Sequence, residues 1–426
     1  MAGRARTAAG RHGTRRRAAV LWLTALLLVP VWGCTAPAKA PDSAAREAAR
    51  EIGRTLDRRA AAVLDRDERA YLAVLDPSVA ALRATGRREF RNLAEVPLGS
   101  WEYRLTDVER SGGRATVHAE LRYGLAGYDR APVSAPRTLE LTERAGRWYV
   151  SADRPGEGGA QQLWEQGAVR TVRGAHSLVL GVGQDDARLR AVAATADRAV
   201  PAVDAAWPRP WARRAVLLVP GSLEAMARLL GASADGYRGI AAVTTGIVTG
   251  NTAGNTAAGT VPADRVVVNP EAYGDLSGFG QEIVLAHETT HVATRTATSA
   301  ATPTWLSEGF ADWAAYRRTD RAPGQIAPEL QGAVRSGDAP AALPADEDFA
   351  FGAGADRLAR AYESGWLACE LIAERWGERR LTDFYRAVGA HAGREGAVEK
   401  ALHDVLATTP EDFTARWRAY ARQRLG

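Results

Sequence analysis

The stretch LAHETTHVATRTATSAATPTWLSEGFADW, Leu285 to Trp313, holds two of the chain's seven histidines, four residues apart around a glutamate. Ile283, Val284, Leu285 and Ala286 lead into it and Val292 and Ala293 follow, so the pattern predicts a buried helix. Residues four apart on a helix differ by only about 40° around the axis, which turns His287 and His291 onto one face. Their imidazoles can then share one metal ion. Glu288 lies one step round, placed to reach a water on that ion rather than the ion itself. Two imidazoles do not complete a site. Thr302 and Pro303 read as a helix cap and first turn, so TPTWLSEGFADW predicts a second helix offering Glu308 as the third ligand. Asp312, one turn further, is spaced to accept a hydrogen bond from a ligand histidine and fix its tautomer.

A histidine six residues after His291 is another solution for the third ligand, but Ala297 stands there. The two methionines, Met1 and Met226, both precede the motif, so the methionine turn of the metzincins is missing as well. The stretch instead resembles the gluzincins, the thermolysin- and aminopeptidase-like zinc peptidases. Among them it is most similar to bacterial peptidase MA-like domains, whose second helix carries a W-L-x-E-G-x-A run. The resemblance covers about residues 165–426, with its specificity concentrated in 287–313. It implies Zn2+ as cofactor, His287, His291 and Glu308 as ligands, Glu288 as general base and Asp312 behind a ligand. It also implies a small sheet over the active-site helix, then a helical lobe that supplies a group for the oxyanion. Tyr362, in ARAYESGWLACEL, lies in a run similar to the tyrosine-bearing helix of these families, with Tyr273 and Tyr316 as alternatives. One departure stands out. No G-x-M-E-N motif precedes His287, so the resemblance does not extend to aminopeptidase specificity.

Upstream of the motif, SLVLGVG, AVLLVP, GIAAVTTGIVTG and RVVVNP read as strands, with helices through DARLRAVAATADRAVPAVDAAW and SLEAMARLLG between them. The loose segment Asn251–Asp264 reads equally as a flap beside the site or as an inert loop. From Gly274 onward nearly everything reads helical. Before residue 154 the order differs. Residues 43–75 read as one long helix, SVAALRATGRREFRNL as a shorter one, and WEYRLTDVER, ATVHAELRYGL, PRTLELTERA and RWYVSAD as strands with SGG and RAG as turns. Helices followed by a curved antiparallel sheet ending in a W-Y-V strand resemble the SnoaL-like, nuclear-transport-factor-2-like class. His118 falls on one of those strands and reads as structural.

The N-terminus carries Arg4, Arg6, Arg11, Arg15, Arg16 and Arg17, then the apolar run AAVLWLTALLLVPVW and Gly33-Cys34. About 15 apolar residues match a signal-peptide core and fall short of a membrane span. VWGC resembles a bacterial lipobox, with Cys34 as the lipidated residue; a plain secretory signal or an uncleaved anchor are the other readings. Removing those six positive charges from the formal +5 leaves −1, so the basic pI is local and no nucleic-acid partner is expected. With Cys34 acylated, Cys369 has no partner for a disulfide and reads as a small core residue. A composition of 46% hydrophobic and 25% charged residues excludes wholesale disorder.

The expected organisation is an α+β chain: a lipoprotein signal peptide over 1–33, a tether over 34–45, a SnoaL-like domain over 46–153, a linker over 154–164 and a gluzincin-like domain over 165–426. That last domain divides into a sheet lobe (165–273), active-site helices (274–320) and a helical lobe (321–426). The expected function is a lipid-anchored zinc metallopeptidase on the extracytoplasmic face of a bacterial cell membrane, acting on a peptide or protein substrate through a zinc-activated water. The alternative is a non-catalytic envelope lipoprotein that binds a partner or ligand, with a vestigial or structural zinc site.

Overall fold

A polar break, Asp65-Arg66-Asp67, divides the first helical stretch in two, where periodicity alone predicts one helix. In this computed structural model, which describes residues 43–245, 263–350 and 354–426, α1 is Ser43–Leu64 and α2 is Glu68–Ala73. The expected signal peptide, Cys34, the expected tether up to residue 42 and most of the expected flap lie outside the described residues. Arg66 takes a left-handed φ of 58°, and its guanidinium donates to the carbonyls of Leu93 and Val96 at 2.7 and 2.5 Å. Asp67 then restarts the helix, its carboxylate accepting from the Ala70 N–H at 2.9 Å.

Helix α3 (Ala80–Asn92) leads into four strands, β1 (Leu98–Ser111), β2 (Arg114–Leu125), β3 (Val133–Arg144) and β4 (Arg147–Pro155). They pair antiparallel in simple order, with register shifts at Leu105/Asp107 and Glu140/Leu141 of the kind that curves a sheet. The concave face buries Trp101, Val117, Leu121, Leu139 and Val150 against Ile52, Leu56, Leu72 and Leu75 of the helices. Two arginines also sit inside this face. Arg59 reaches Asp153 at 2.7 Å, and Arg137 reaches Asp153 and Glu165, each at 2.7 Å. Glu165 belongs to the short helix α4 (Leu163–Gln166), whose Trp164 packs on Trp101 and Tyr123 with ring centroids 5.2 and 4.9 Å apart.

A second sheet follows, built from β5 (Arg170–Arg173), β6 (Ser177–Gly181), β7 (Ala215–Val219), β8 (Ala242–Thr244) and β9 (Val266–Val268). Its order is β5-β6-β7-β9-β8; β6, β7 and β9 run parallel, and β5 and β8 close the edges antiparallel. The parallel β6–β7 pair needs a long crossover, supplied by α5 (Asp186–Ala206). After β7 come α6 (Leu223–Leu230) and, past β9, α7 (Pro270–Asp275). All five residues of β6 are buried, because both faces of the sheet are covered. Val179, Leu217 and Val219 face the core shared with the C-terminal helices, whereas Leu178, Leu180 and Val216 face the core of the first domain. From Ala44 to Gly426 the chain is thus one compact unit.

The rest is helical: α8 (Gly278–Thr294), α9 (Thr304–Tyr316), α10 (Pro323–Ile326), α11 (Pro328–Ser336), α12 (Ala355–Trp376), α13 (Glu378–Gly389), α14 (Ala397–Leu406) and α15 (Pro410–Leu425). The chain is α+β, as its sequence leads one to expect. No helix among the described residues is long and apolar enough to cross a membrane.

Candidate metal centre

Helix α8 carries the His-Glu-x-x-His run and starts at Ser277, whose hydroxyl accepts from the Gly280 N–H at 3.2 Å. Helix α9 carries Glu308 and Asp312 and starts at Thr304, just before Trp305 as the sequence predicts, but it is not capped as predicted. Thr302 is no cap: its hydroxyl accepts from the Ser299 N–H at 3.1 Å in the preceding turn. The free N–H of Thr304 donates instead to Asp346, 42 residues away, at 2.9 Å. A local pattern could not have found that partner.

Two glycines set how closely α9 approaches α12. A Cβ on Gly309 would lie 2.2 Å from the Gly365 carbonyl oxygen, and one on Gly365 would lie 2.6 Å from the Trp305 carbonyl oxygen. The helices therefore cross backbone to backbone. Gly309 follows Glu308 directly, and Gly365 lies one turn after Tyr362, so the crossing brings that tyrosine beside the carboxylate.

The Nε2 atoms of His287 and His291 lie 3.0 Å apart, and Glu308 Oε2 lies 3.2 and 3.4 Å from them. Each of the three residues offers one ligand atom, all within 4.8 Å of one another. Donors about 2.0–2.2 Å from a tetrahedral zinc stand about 3.3–3.5 Å apart, so this triangle is close to one such face. The chemistry fits too: two imidazoles and a carboxylate are a borderline-soft donor set suited to zinc and its neighbours. The cluster could hold a metal ion. Asp312 Oδ1 lies 2.7 Å from His287 Nδ1, so the proton belongs on Nδ1 and the Nε2 lone pair faces the cluster.

Burial would lower the His287 pKa, but the charges and hydrogen bonds of Asp312 and Glu308 raise it well above its ordinary value. Burial would raise that of Glu308, yet His291 and His287 hold it far below the usual carboxylate range. The ring centroid of Tyr362 stands 6.4 Å from that of His287 and 5.2 Å from that of Phe349. Burial, then the Glu308, Asp312 and Glu288 carboxylates, push its phenol well above the ordinary value, which keeps it protonated. Of the alternatives, Tyr316 packs against Phe279 and Tyr273 is buried on α7.

Glu288 is only 8% exposed, and its Oε2 lies 2.6 Å from the hydroxyl of Thr244 on β8. Nothing in the local sequence marks Thr244. Gly309 and Gly365 did carry a signal, since a glycine within a helical run usually has a packing reason. Cys369 is fully buried on α12, as expected of a small core residue. His118 and His403 are exposed, and His391 bonds the nearby Gly393 carbonyl at 2.7 Å.

No family model and no curated protein matches the chain. Among solved structures, Rd1NTF2_05, in a form with five substitutions, is similar to 26% of this chain over 98% of its own, at 16% identity and a TM-score of 0.21. A SEC-C motif containing protein from Rhodopseudomonas palustris is similar to 22% of this chain over 71% of its own, at 22% identity and a TM-score of 0.18. Likeness at that level carries no argument about fold or function.

Proposed function

We propose that the protein is a zinc metallopeptidase of gluzincin type, held on the outer face of the membrane through Cys34, with a SnoaL-like first domain. One observation carries the reading: His287, His291 and Glu308 bring three ligand atoms within 3.0–3.4 Å of each other, with the Glu288 carboxylate one residue round the same helix. A site built only to hold an ion has no need of that fourth group.

His287, His291 and Glu308 would hold the zinc, with Asp312 fixing the His287 tautomer. When bound, zinc supplies Lewis acidity, polarising a carbonyl and bringing a water's pKa to about 7. Glu288 takes the proton from the attacking water and returns it to the leaving amine. Tyr362, kept protonated by its surroundings, donates a hydrogen bond to the oxygen on which charge develops. The element order α1–α3 then β1–β4 supports the SnoaL-like reading of the first domain.

Metal analysis of the purified protein should find about one zinc per chain. Glu288→Gln should keep that zinc and lose about 10²–10⁴-fold in peptide hydrolysis, the usual worth of a general base. Hydrolysis at the parental rate by this variant rules the mechanism out.

A further inference from the structure

Glu288 is gripped from the sheet. The Thr244 hydroxyl oxygen lies 2.6 Å from Glu288 Oε2 and 3.0 Å from the Glu288 carbonyl oxygen. Thr244 ends β8, a three-residue strand that among the described residues pairs only with β9. So short a strand does little to fix itself.

Its neighbour does the fixing. The Thr245 N–H donates to the Arg265 carbonyl at 2.8 Å, and its hydroxyl accepts from the Arg265 N–H at 2.9 Å. Its carbonyl accepts from Arg295 Nη2 at 2.5 Å, and Arg295 Nε donates to Asp264 at 2.7 Å. Arg295 caps α8 one turn after His291, so the helix that carries Glu288 also clamps the strand that holds it. Arg265 in turn makes a two-pronged pair with Asp129, at 2.8 and 2.6 Å, with both side chains almost wholly buried. Asp129 lies in the first domain just after β2, where it also accepts from the Leu125 N–H at 2.7 Å. A bidentate arginine–carboxylate pair away from water has a fixed geometry.

We infer that Thr244 is the positioning residue for Glu288, and that the first domain, through Asp129 and Arg265, holds β8 where Thr244 can act. With Oε2 engaged by the hydroxyl, Oε1 is the atom left to exchange the proton. A base must stand within hydrogen-bond reach of the proton it takes, and a misplacement of about 1 Å costs about a hundredfold. The catalytic consequence rests on the peptidase reading, whereas the placement of Glu288 does not.

The test uses Thr244→Val, which keeps the shape and removes the hydroxyl, Thr244→Ser, which restores it, and Asp129→Asn, all in the full chain. Each variant should bind as much zinc as the parent. In Thr244→Val, kcat should fall about 10–100-fold at nearly constant KM, while Thr244→Ser should stay within about threefold of the parent. Asp129→Asn should lower kcat in the same direction; if it does not fold, Arg265→Lys keeps the charge and loses the two-pronged geometry. Crystals of metal-free Thr244→Val should show the Glu288 carboxylate displaced, and those of Thr244→Ser should show it in place. Parental kcat, loss of zinc or an unmoved Glu288 in Thr244→Val overturns the role of Thr244. Parental kcat in both Asp129→Asn and Arg265→Lys overturns the role of the first domain. Should the parent itself cleave no peptide, the peptidase reading fails, and the crystals still decide whether Thr244 places Glu288.

Discussion

Arg59, Arg137 and Asp153 of the first domain with Glu165 of α4, and His287, His291 and Glu308 further along the chain, both bury charge, but only in the first set does every charge meet an opposite one. There two guanidiniums balance two carboxylates at 2.7 Å, although Arg59 Nε is left without a partner. Burial would raise the Asp153 pKa, but Arg59 and Arg137 hold it below the usual carboxylate range, so the group stays charged and paired. In the second set, lone-pair atoms face one another at 3.0–3.4 Å, and a carboxylate behind His287 adds a further negative charge. Only a proton or a metal cation reconciles such an arrangement. A buried cluster complete in itself is scaffold; one short of a cation is a site.

That contrast can be broken at several points. The largest effect is expected from Asp153→Ala, which leaves two buried guanidiniums short of a partner and should cost about 3–5 kcal/mol in thermal unfolding. Because its pKa is depressed in the fold, Asp153 stabilises the protein above the unfolded carboxylate value of about 3.9. That contribution is lost as pH falls through the folded value, so acid should cost the parent a stability that Asp153→Ala never had. Glu308→Ala should instead leave the fold standing and weaken zinc binding by about two to three orders of magnitude. This takes one ligand as roughly a quarter of the 10–16 kcal/mol of a structural zinc site, and a competition titration with a chelator reads it. Gly309→Ala forces a methyl group against the Gly365 carbonyl and should destabilise by about 1–3 kcal/mol in denaturant unfolding, with loss of zinc as α9 shifts. Asp312→Asn, which frees the His287 tautomer, should weaken zinc about 10–100-fold by the same titration. At the bottom stands Arg154→Ala, which removes a surface pair with Glu140 at 2.9 Å and should change stability by less than about 1 kcal/mol.

The elements whose residues repeat with a strong local period were legible in the sequence. The strands β1–β4, the helix α5 and the pair α8 and α9 fall close to where periodicity places them, because each buries a face of its own. The break at Arg66 was hidden, since what stabilises it are carbonyls of residues 93 and 96. The strand β5 was missed because RTVR is short, polar at both ends and only half-buried. Helical spacing and resemblance pointed to His287, His291, Glu308, Asp312 and Tyr362, and the structure brings these five side chains near one another. Thr244 and Asp346 escaped because each acts across the fold, on a partner more than 40 residues away. Helical spacing reports what shares a helix face; it is silent on what arrives from elsewhere.

The strand β6 has a consequence for anyone who trims this protein. Its odd and even residues belong to different interiors, so the sheet is a party wall rather than an outer surface. A chain begun after Trp164 would lay Leu178, Leu180 and Val216 bare, and it should clump in solution even with the whole His287–His291–Glu308 cluster intact. Relatives that dispense with the first domain should therefore carry polar side chains at those three places, and grafting this C-terminal part onto another partner will require the same change.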